Sequence, residues 1–481
     1  MLRNSVSLLR NLSSEQCPKC TQLFLKLSRP LSNSIGLQSH NDNSRLQNPP
    51  SKSFHRVSPQ IEIPDVKPKA FRGLETDFPC LTKNDVSGPE PEYHKVVSGF
   101  KKFYYTKPYH LKYNNAVLPE LEVAYETWGE LNEDKSNAVI IHAGLSASSH
   151  AKSHKENTNP GWWEKFVGPG FAVDTNKFFV ICTNTIGSCY GTSGPSSINP
   201  LTGECYGTTF PLPSVDDMVH VQFLLLDHLG INKLHASVGS SLGGMCSLNA
   251  AALYPDRVRR VISISGCARS HPSSIAMRYL QRRCIMTDPE WKKGHYYGKS
   301  YPKMGMKLAR EIATITYRSG PEWEQRFGNK RIDENEEPSL CPTFSIESYI
   351  EYQGETFCNK YDPNSLLYIS KAMDLFDMSD GFDSLQEGLS RVKCPVMVIG
   401  VQTDILFPVW QQRQLSDLLK NSGNDAVTYY ELNSLYGHDT FLLDVNNVGA
   451  AVKGHLESLS VSEEPLSTSN PSSDQSSSSF S

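Results

Sequence analysis

The sequence predicts an α/β domain with a mostly parallel sheet, and two observations support this fold class. Short, almost wholly apolar runs recur between about residue 95 and residue 458, and such runs are typical of strands buried on both faces of a sheet. Helical patterns separate the runs, and alternation of strands with helices favours parallel strands. The predicted strands are AVIIHAG (138–144), FFVICTN (178–184), LHASVG (234–239), VRRVISISG (258–266), CPVMVIGVQTD (394–404) and VTYYEL (427–432).

Two of the helical patterns have recognisable ends. The first follows Ser214, a residue type that caps helix N-termini, and stops at Gly230, which suits a helix C-terminus. The second covers residues 409–420. Residues from about 268 to 388 break the alternation and are rich in Arg, Tyr, Met and Pro. They are predicted to form a mainly helical lid over the C-terminal edge of the sheet.

The composition of the chain excludes several classes of partner. Its 481 residues suit one large domain with tails, because a single core rarely exceeds about 250–300 residues. A net charge of -4 argues against a nucleic-acid surface, which would favour a basic face. No run approaches the roughly 18 apolar residues that a membrane helix needs. A soluble protein without nucleic-acid or membrane partners is expected.

The two ends of the chain differ in composition from its body. Residues 1–60 are basic and Ser-rich, and Glu15 is the only acidic residue before Asp42. This pattern is typical of a mitochondrial transit peptide and predicts a location in the matrix. The alternative is a disordered leader without an address, which would leave the protein in the cytoplasm. The Ser-rich residues 459–481 are predicted to be disordered.

The cysteines and histidines predict no metal site. The twelve cysteines are scattered, as expected for free thiols in a reducing compartment. Cys17 and Cys20 form a CPKC motif, but no second ligand pair follows at zinc-binding spacing. His142 ends a predicted strand and is expected to support the loop that follows it. Three further histidines are expected to be surface or helix residues: His150, His154 and His220.

Residues 239–243, GSSLG, form a G-x-S-x-G pattern between a predicted strand and a predicted helix. The pattern alone is common, and the strand–turn–helix context makes it informative. Ser241 would lie at the apex of a strained turn with its hydroxyl projecting. The N–H of Leu242 and the positive end of the helix would then face a developing oxyanion.

A serine nucleophile needs a base, and the base needs an orienting acid. Asp404 ends a predicted strand, and His438 follows the next strand in LYGHDTF. Taken singly, Asp404 could be a helix cap and His438 a turn residue. Together with Ser241 they give the order Ser, Asp, His at strand ends, which favours a catalytic triad that needs no metal.

Four segments resemble the homoserine O-acetyltransferase family, the MetX-like acyltransferases of the α/β-hydrolase superfamily. The resemblance covers about residues 95–455. It implies an α/β-hydrolase fold, transfer of an acyl group from acyl-CoA to the hydroxyl of a small amino acid, and a homodimer formed through the lid helices. Acyl-CoA would be a cosubstrate, and no bound cofactor is implied. The segments are PGWWEKFVGPGFAVDTNKFFVICTN, GSCYGTSGPSSINPLTGECYGTTFP, VGSSLGGM and YGHDTFL.

The resemblance also implies roles for individual residues. Ser241 matches the nucleophile, Asp404 the acid and His438 the base. Arg282 matches an arginine of the substrate pocket, where it would meet the α-carboxylate. Asp439 matches the acid that binds the substrate's amino group. The second oxyanion N–H would come from the loop at Gly144 and Leu145.

Two segments depart from the common pattern of this family. The oxyanion loop reads HAGLSASSH (142–150) where the family usually has HALTGDSH, and the lid reads MRYLQRRCI (277–285) where it usually has FNEVQRQAI. Both resemble the branch that acts on serine with succinyl-CoA. The longer loop would shorten the pocket for serine, and Arg278 could pair the free carboxylate of a succinyl group. The loop residues concerned are Gly144, Leu145, Ser146 and Ala147.

The sequence therefore predicts a ping-pong acyltransferase that makes O-succinylserine or O-acetylserine, the activated ester used in cysteine biosynthesis. Homoserine O-acetylation, which serves methionine biosynthesis, is the nearest alternative and differs only in pocket shape. An esterase or thioesterase would use the same triad with water as the acceptor. The expected small-molecule substrates are L-serine or L-homoserine with succinyl-CoA or acetyl-CoA.

Overall fold

The computed structural model describes residues 78, 80, 90–337 and 339–458, all within one compact unit. The predicted leader (1–60) and tail (459–481) lie outside these residues, as does the CPKC motif. Among the described residues, every helix is too short or too polar to span a bilayer.

The described residues form twelve strands, eight of them in one central sheet. They are β1 (Lys101–Tyr105), β2 (Tyr109–His110), β3 (Val117–Leu118), β4 (Leu121–Trp128), β5 (Ala138–His142), β6 (Val167–Gly168), β7 (Val173–Asp174), β8 (Phe179–Thr183), β9 (Ala236–Ser240), β10 (Val261–Ile264), β11 (Val396–Val401) and β12 (Val427–Leu432). The order in the central sheet is β1-β4-β8-β5-β9-β10-β11-β12.

Six neighbouring strands of this sheet, from β8 to β12 in the spatial order above, are parallel. They are the six strands predicted from the sequence. The antiparallel pair at the other edge, β1 and β4, was not predicted. Strand β4 carries Glu122, Glu126 and Thr127 among its apolar residues, so it lacks the solid apolar run that marked the others. The α/β fold with a mostly parallel sheet is confirmed.

The helices connect the parallel strands and form the lid. They are α1 (Tyr93–Val96), α2 (Val215–His228), α3 (Leu242–Leu253), α4 (Pro272–Thr287), α5 (Lys303–Tyr317), α6 (Gly320–Arg326), α7 (Ser345–Cys358), α8 (Pro363–Asp374), α9 (Leu385–Leu389), α10 (Val409–Asn421), α11 (Thr440–Leu443) and α12 (Val445–Glu457).

The inner parallel strands of the sheet are buried on both faces, whereas the edge strands β1 and β12 keep exposed residues. In β5, alternate side chains enter two separate hydrophobic clusters: Ala138 and Ile140 join one, and Val139 and Ile141 join the other. This alternation follows from the two-residue repeat of a strand. The strands therefore hold their C-terminal ends in fixed positions at one edge of the sheet.

The predicted cap of α2 is confirmed. The Ser214 hydroxyl accepts a hydrogen bond from the Asp217 N–H at 3.0 Å, and the Asp217 carboxylate accepts one from the Ser214 N–H at 2.8 Å. This reciprocal pair satisfies backbone donors that the first helical turn would leave unpaired. Gly230, with φ of +67°, follows the helix end in the left-handed conformation that favours glycine.

Between β10 and β11 the chain forms the predicted lid. Helices α4 to α9 occupy this segment, and α5 packs against both α4 and α7. Buried aromatic side chains, including Tyr296, Tyr301 and Tyr361, form a core of their own within this region. The lid thus has a hydrophobic core separate from the two that cover the sheet.

The expectation that the cysteines are free thiols is wrong for one pair. Cys80 and Cys341 are joined by a disulfide across 261 residues of sequence, a pairing that local spacing does not indicate. The other eight cysteines of the described region are free, and five of these are buried, among them Cys182 and Cys246. Cys394, expected inside an apolar run, is only partly buried.

Candidate active site

Ser241 lies at the tight turn between β9 and α3, with φ of 57° and ψ of -122°. This conformation is strained for a residue with a Cβ, at a cost of order 1–3 kcal/mol. The flanking glycines permit it. A Cβ on Gly239 would lie 2.0 Å from the carbonyl oxygen of Gly243, and a Cβ on Gly243 would lie 2.3 Å from that of His142. The glycines of the G-x-S-x-G motif are therefore required by backbone packing.

Asp404 and His438 meet as predicted from their positions after β11 and β12. The Nδ1 atom of His438 lies 2.7 Å from Oδ2 of Asp404. The other carboxylate oxygen, Oδ1, accepts hydrogen bonds from the N–H groups of Leu406 (2.9 Å) and Phe407 (2.8 Å). Asp404 therefore orients the imidazole and holds the turn after β11, but it is not a helix cap, because the N-cap of α10 is Pro408.

The His438 ring is buried and shielded by aromatic side chains. Phe407 stacks on it with ring centroids 5.0 Å apart, and Phe441 lies edge-on at 5.5 Å. Burial alone would lower its pKa, but the charge and hydrogen bond of Asp404 outweigh burial, so the pKa is raised above its usual value. Its Nε2 is buried and has no hydrogen-bond partner among the described residues, which leaves it available to a reacting hydroxyl.

A cavity of about 300 Å³ opens between the sheet edge and the lid, and both Ser241 and His438 line it. The loop after β5 forms another wall through Gly144, Leu145, Ser146 and Ala147. Tyr361, from the lid, donates a hydrogen bond to the carbonyl of Leu145 at 2.8 Å. This contact ties the loop to the lid, so the predicted oxyanion loop lies at the predicted site.

Arg278 is buried in α4 and lines the cavity. Its Nε donates to Oδ1 of Asp374 at 2.6 Å, and Nη2 donates to the Ser270 hydroxyl at 3.0 Å. Its Nη1 is buried and has no partner among the described residues. Arg278 is therefore not a solvent-facing residue of the lid helix, and one of its guanidinium nitrogens still needs an acceptor.

Arg282 does not occupy the position expected from the family resemblance. It lies one helical turn after Arg278 and does not line the cavity. Its Nη2 pairs with Asp374, and Nη1 donates to the Ser370 hydroxyl at 3.2 Å. Arg282 thus makes a supporting contact in this structure, and its expected contact with the substrate stays a prediction. Because residues i and i+4 share a helix face, both arginines reach the same carboxylate.

Arg310 in α5 is a cavity residue that the sequence did not single out. Its guanidinium lies 4.4 Å from the ring centre of Phe357 and 4.9 Å from that of Tyr317, which are cation–π distances. Its Nε is buried without a hydrogen-bond partner among the described residues. No local motif marks it, because the lid fold alone brings α5 over the cavity.

Asp439 lines the same cavity, as expected for a residue that follows His438. Its carboxylate lies 3.1 Å from Nε of Arg318. Burial raises the pKa of Asp439, while the positive charges of Arg318, His438 and Arg310 oppose that rise. The cavity therefore holds one carboxylate besides the guanidinium groups of Arg278 and Arg310.

The four other histidines named in the sequence analysis differ in their surroundings. His142 is fully buried, bonds Ser237 at 2.7 Å, and has its pKa lowered to about 3 by burial, so it supports the loop in its neutral form. His220 lies in α2 as predicted. The surface expectation is wrong for His150, which is buried, whereas His154 is partly exposed; both converge on the buried Glu126.

Comparisons with known proteins agree with this geometry. A family model described as the alpha/beta hydrolase fold matches residues 137–445. A serine O-succinyltransferase from Schizosaccharomyces pombe is 52% identical over 487 aligned residues, which cover 84% of this chain and 96% of the relative. The chain belongs to the acyltransferase family of the α/β-hydrolase fold. The resemblance found in the sequence is confirmed.

Other members of this acyltransferase family carry a different name. A homoserine O-acetyltransferase from Moorella thermoacetica is 42% identical over 348 residues, covering 72% of this chain and 93% of the relative. The crystal structure of a homoserine O-acetyltransferase from Bacillus anthracis matches with a TM-score of 0.70 and 31% identity, over 75% of this chain and 99% of that one. The family therefore includes proteins named for either activity, and the residues that line the cavity must indicate which substrates this protein uses.

Proposed function

We propose that the protein transfers a succinyl group from succinyl-CoA to the hydroxyl of L-serine through a covalent acyl group on Ser241. The charges that line the cavity carry this proposal. Beside Ser241 and His438 stand two guanidinium groups, Arg278 and Arg310, and one carboxylate, Asp439. O-succinylserine carries two carboxylates and one ammonium group, so the charges of the cavity complement those of the product. An O-acetylated amino acid has one carboxylate fewer.

The first half-reaction loads the enzyme. His438 Nε2 takes the proton of the Ser241 hydroxyl, whose oxygen attacks the thioester carbonyl. The resulting oxyanion is held by the N–H of Leu242, which belongs to the first turn of α3 and has no intrahelical acceptor, and by an N–H of the Gly144–Leu145 loop. The C–S bond breaks, the proton passes from His438 to the thiolate, and coenzyme A leaves.

The second half-reaction transfers the acyl group. The hydroxyl of serine gives its proton to His438 and attacks the acyl carbon, and the Ser241 oxygen leaves with the proton that His438 returns. Asp439 would hold the ammonium group of serine. Arg310 would hold the α-carboxylate, because Arg310 and Asp439 line the same cavity. Arg282, which pairs with Asp374, would hold that carboxylate beside Arg278.

The environment of Arg278 supports the succinyl donor. Arg278 and Arg282 share the single carboxylate of Asp374, so this buried group of three carries one excess positive charge. An uncompensated buried charge is costly, and a carboxylate is the acceptor that a guanidinium group binds best. The terminal carboxylate of a succinyl group would supply both the missing charge and an acceptor for Nη1. An acetyl group would supply neither the negative charge nor the acceptor.

Homoserine O-acetylation remains the second candidate, and the names of the relatives from Moorella thermoacetica and Bacillus anthracis favour it. The full chain should therefore be assayed by thiol release with all four pairs of succinyl-CoA or acetyl-CoA and serine or homoserine. We expect the highest kcat/KM for succinyl-CoA with serine. A preference for acetyl-CoA with homoserine would assign the second function, and equal release without any amino acid would indicate a thioesterase.

Removing the guanidinium group of Arg278 should change the choice of donor. For Arg278→Leu we expect kcat/KM with succinyl-CoA to fall by about 10–100-fold, since a hydrogen bond to a charged group contributes about 1.5–3 kcal/mol. The value with acetyl-CoA should change by less than about 3-fold. Asp374 keeps Arg282 as its partner, so the fold should persist. Steady-state kinetics with both donors measure the ratio.

The matched control for this variant is Arg283→Leu, the same change at an exposed position of the same helix. It should leave the donor ratio unchanged. An equal loss with both donors in Arg278→Leu would mean that Arg278 only supports the structure. An unchanged value with succinyl-CoA would remove its proposed role altogether.

The pH dependence should reflect the raised pKa of His438. The base must be neutral to accept a proton, and its neutral fraction falls as the pH drops through the pKa. Because Asp404 raises that pKa, the acid limb of kcat/KM should have its midpoint above 6.5, the ordinary pKa of histidine. A pH profile between about 5 and 9 measures it. A midpoint below 6.5 would contradict the proposed pairing.

We further propose that a second copy of the chain covers the outer face of the lid. Large apolar side chains are exposed on α4, α5 and α7, and contiguous exposed apolar surface is typical of protein interfaces. They are Tyr279, Leu280, Met286, Leu308, Ile315 and Tyr352.

The composition of residues 1–60 predicts a location in the mitochondrial matrix, and we propose this location for the protein.

A further inference from the structure

Three side chains outside the cavity converge on one point at the end of β4 and in the loop after β5. The Oε2 atom of Glu126 lies 2.7 Å from Nδ1 of His150 and 2.6 Å from Nε2 of His154. Glu126 and His150 are buried, and the side chain of His154 is 17% exposed. None of the three lines the cavity that contains Ser241. They form a separate cluster, which we call the His2Glu cluster.

We propose that the His2Glu cluster binds one divalent transition-metal cation, with Zn²⁺ the best match. Imidazole nitrogen and carboxylate oxygen are donors that Zn²⁺ accepts, in a tetrahedral set whose fourth position can be water. The three ligand atoms lie within 4.8 Å of one another. Zinc ligands at about 2.0–2.1 Å stand about 3.3 Å apart, so small outward shifts of the rings would make room.

The atoms of the three side chains that face away from the candidate metal position make the contacts that are typical of metal ligands. Metal-bound histidines donate their second ring N–H to a carbonyl or carboxylate, which fixes the ring and its tautomer. Nε2 of His150 lies 2.8 Å from the carbonyl of Asn159, and Nδ1 of His154 lies 3.2 Å from the carboxylate of Glu156. The remaining oxygen of Glu126, Oε1, accepts a hydrogen bond from Ser149 at 2.7 Å. Each candidate ligand atom is therefore backed by a polar contact to the other end of its group.

The position of the cluster indicates what the cation would do. His150 ends the segment that begins at His142 and includes the cavity-lining residues 144–147. A cation that joins His150 and His154 to β4 would fix the C-terminal base of this loop to the sheet. Its role would be structural, and it would supply no chemistry to Ser241.

The test is metal binding by the full chain after treatment with a chelator. Co²⁺ replaces Zn²⁺ and reports nitrogen–oxygen coordination by its visible absorption. We expect one Co²⁺ bound with a tetrahedral spectrum, displacement by Zn²⁺, and no binding of Mg²⁺, which prefers oxygen ligands. His154→Gln should weaken the affinity by more than about 100-fold, because losing even a supporting contact of a metal ligand costs about 10–100-fold.

Two variants serve as controls. His110→Gln removes an exposed histidine of β2 and should leave the Co²⁺ spectrum unchanged. Cys17→Ser/Cys20→Ser removes the CPKC thiols and should likewise leave it unchanged. Absence of saturable binding, or binding that survives His154→Gln, would overturn the proposal. Because His154 is partly exposed, this variant should fold even if Glu126→Gln does not.

Discussion

Replacing Ser241 with alanine should lower kcat by about 10⁴-fold or more with every donor and acceptor. Removal of a serine nucleophile eliminates the covalent route, and what remains comes from the oxyanion donors and from binding. The change removes one buried oxygen at a strained turn and adds no volume, so the thermal stability should change little. Thiol release from succinyl-CoA, with and without serine, measures the effect.

The control for this variant lies one residue earlier in the chain. Ser240 is the last residue of β9, is buried, and precedes the turn. Ser240→Ala should keep kcat within about 3-fold of the unmodified protein, because that hydroxyl has no role in acyl transfer. Activity retained by Ser241→Ala, or an equal loss in both variants, would contradict the assignment of the nucleophile.

Replacing Asp404 with asparagine should lower kcat by about 10⁴-fold. The amide can still accept hydrogen bonds from Leu406 and Phe407, so the turn after β11 should persist. The amide nitrogen would then face Nδ1 of His438, and the ring would place its proton on Nε2. In that tautomer His438 cannot accept a proton from Ser241. Steady-state kinetics and a thermal melt separate the two effects.

Asp425→Asn makes the same chemical change at an exposed loop residue and should have no effect on kcat. For Asp404→Asn the decisive result is a large loss of kcat together with a melting temperature within about 3 °C of that of the unmodified protein. A shift of this size corresponds to about 1 kcal/mol or less in a large domain. A loss of kcat below about 10-fold would mean that Asp404 only caps its turn.

The sequence predicted those parts of the protein that are encoded locally. Each of the six parallel strands is an apolar run, and the turn at Ser241 is a five-residue motif, so a short window suffices to find them. Asp404 and His438 could be placed because strand ends share one edge of the sheet. The order along the chain then indicated that they meet, and the hydrogen bond between them confirms it.

Features that depend on distant parts of the chain were not predictable in this way. Arg310 enters the cavity only because the lid helices pack as they do. The resemblance placed Arg282 in the substrate pocket, but its guanidinium group pairs with Asp374, 92 residues later in the chain. The disulfide between Cys80 and Cys341 spans 261 residues. No local pattern contains the information that brings such residues together.

The His2Glu cluster illustrates the same limit within one region of the fold. His150 and His154 are four residues apart in a segment without helical periodicity, so their spacing alone suggested surface residues. Glu126 lies on β4, and this strand was not predicted because polar residues interrupt its apolar run. The pairing of β4 with β8, and of β8 with β5, brings the carboxylate to the loop.

The central claim is that Ser241 carries a succinyl group that serine removes, and the most direct test is to trap that group. The full chain would be mixed with succinyl-CoA alone, and the peptide that contains Ser241 would be weighed by mass spectrometry before and after serine or homoserine is added. We predict one succinyl group on Ser241, stable for many turnover times in water and discharged faster by serine than by homoserine, with O-succinylserine as the product. Faster discharge by homoserine, rapid loss in water alone, or no acyl group on Ser241 would contradict the account.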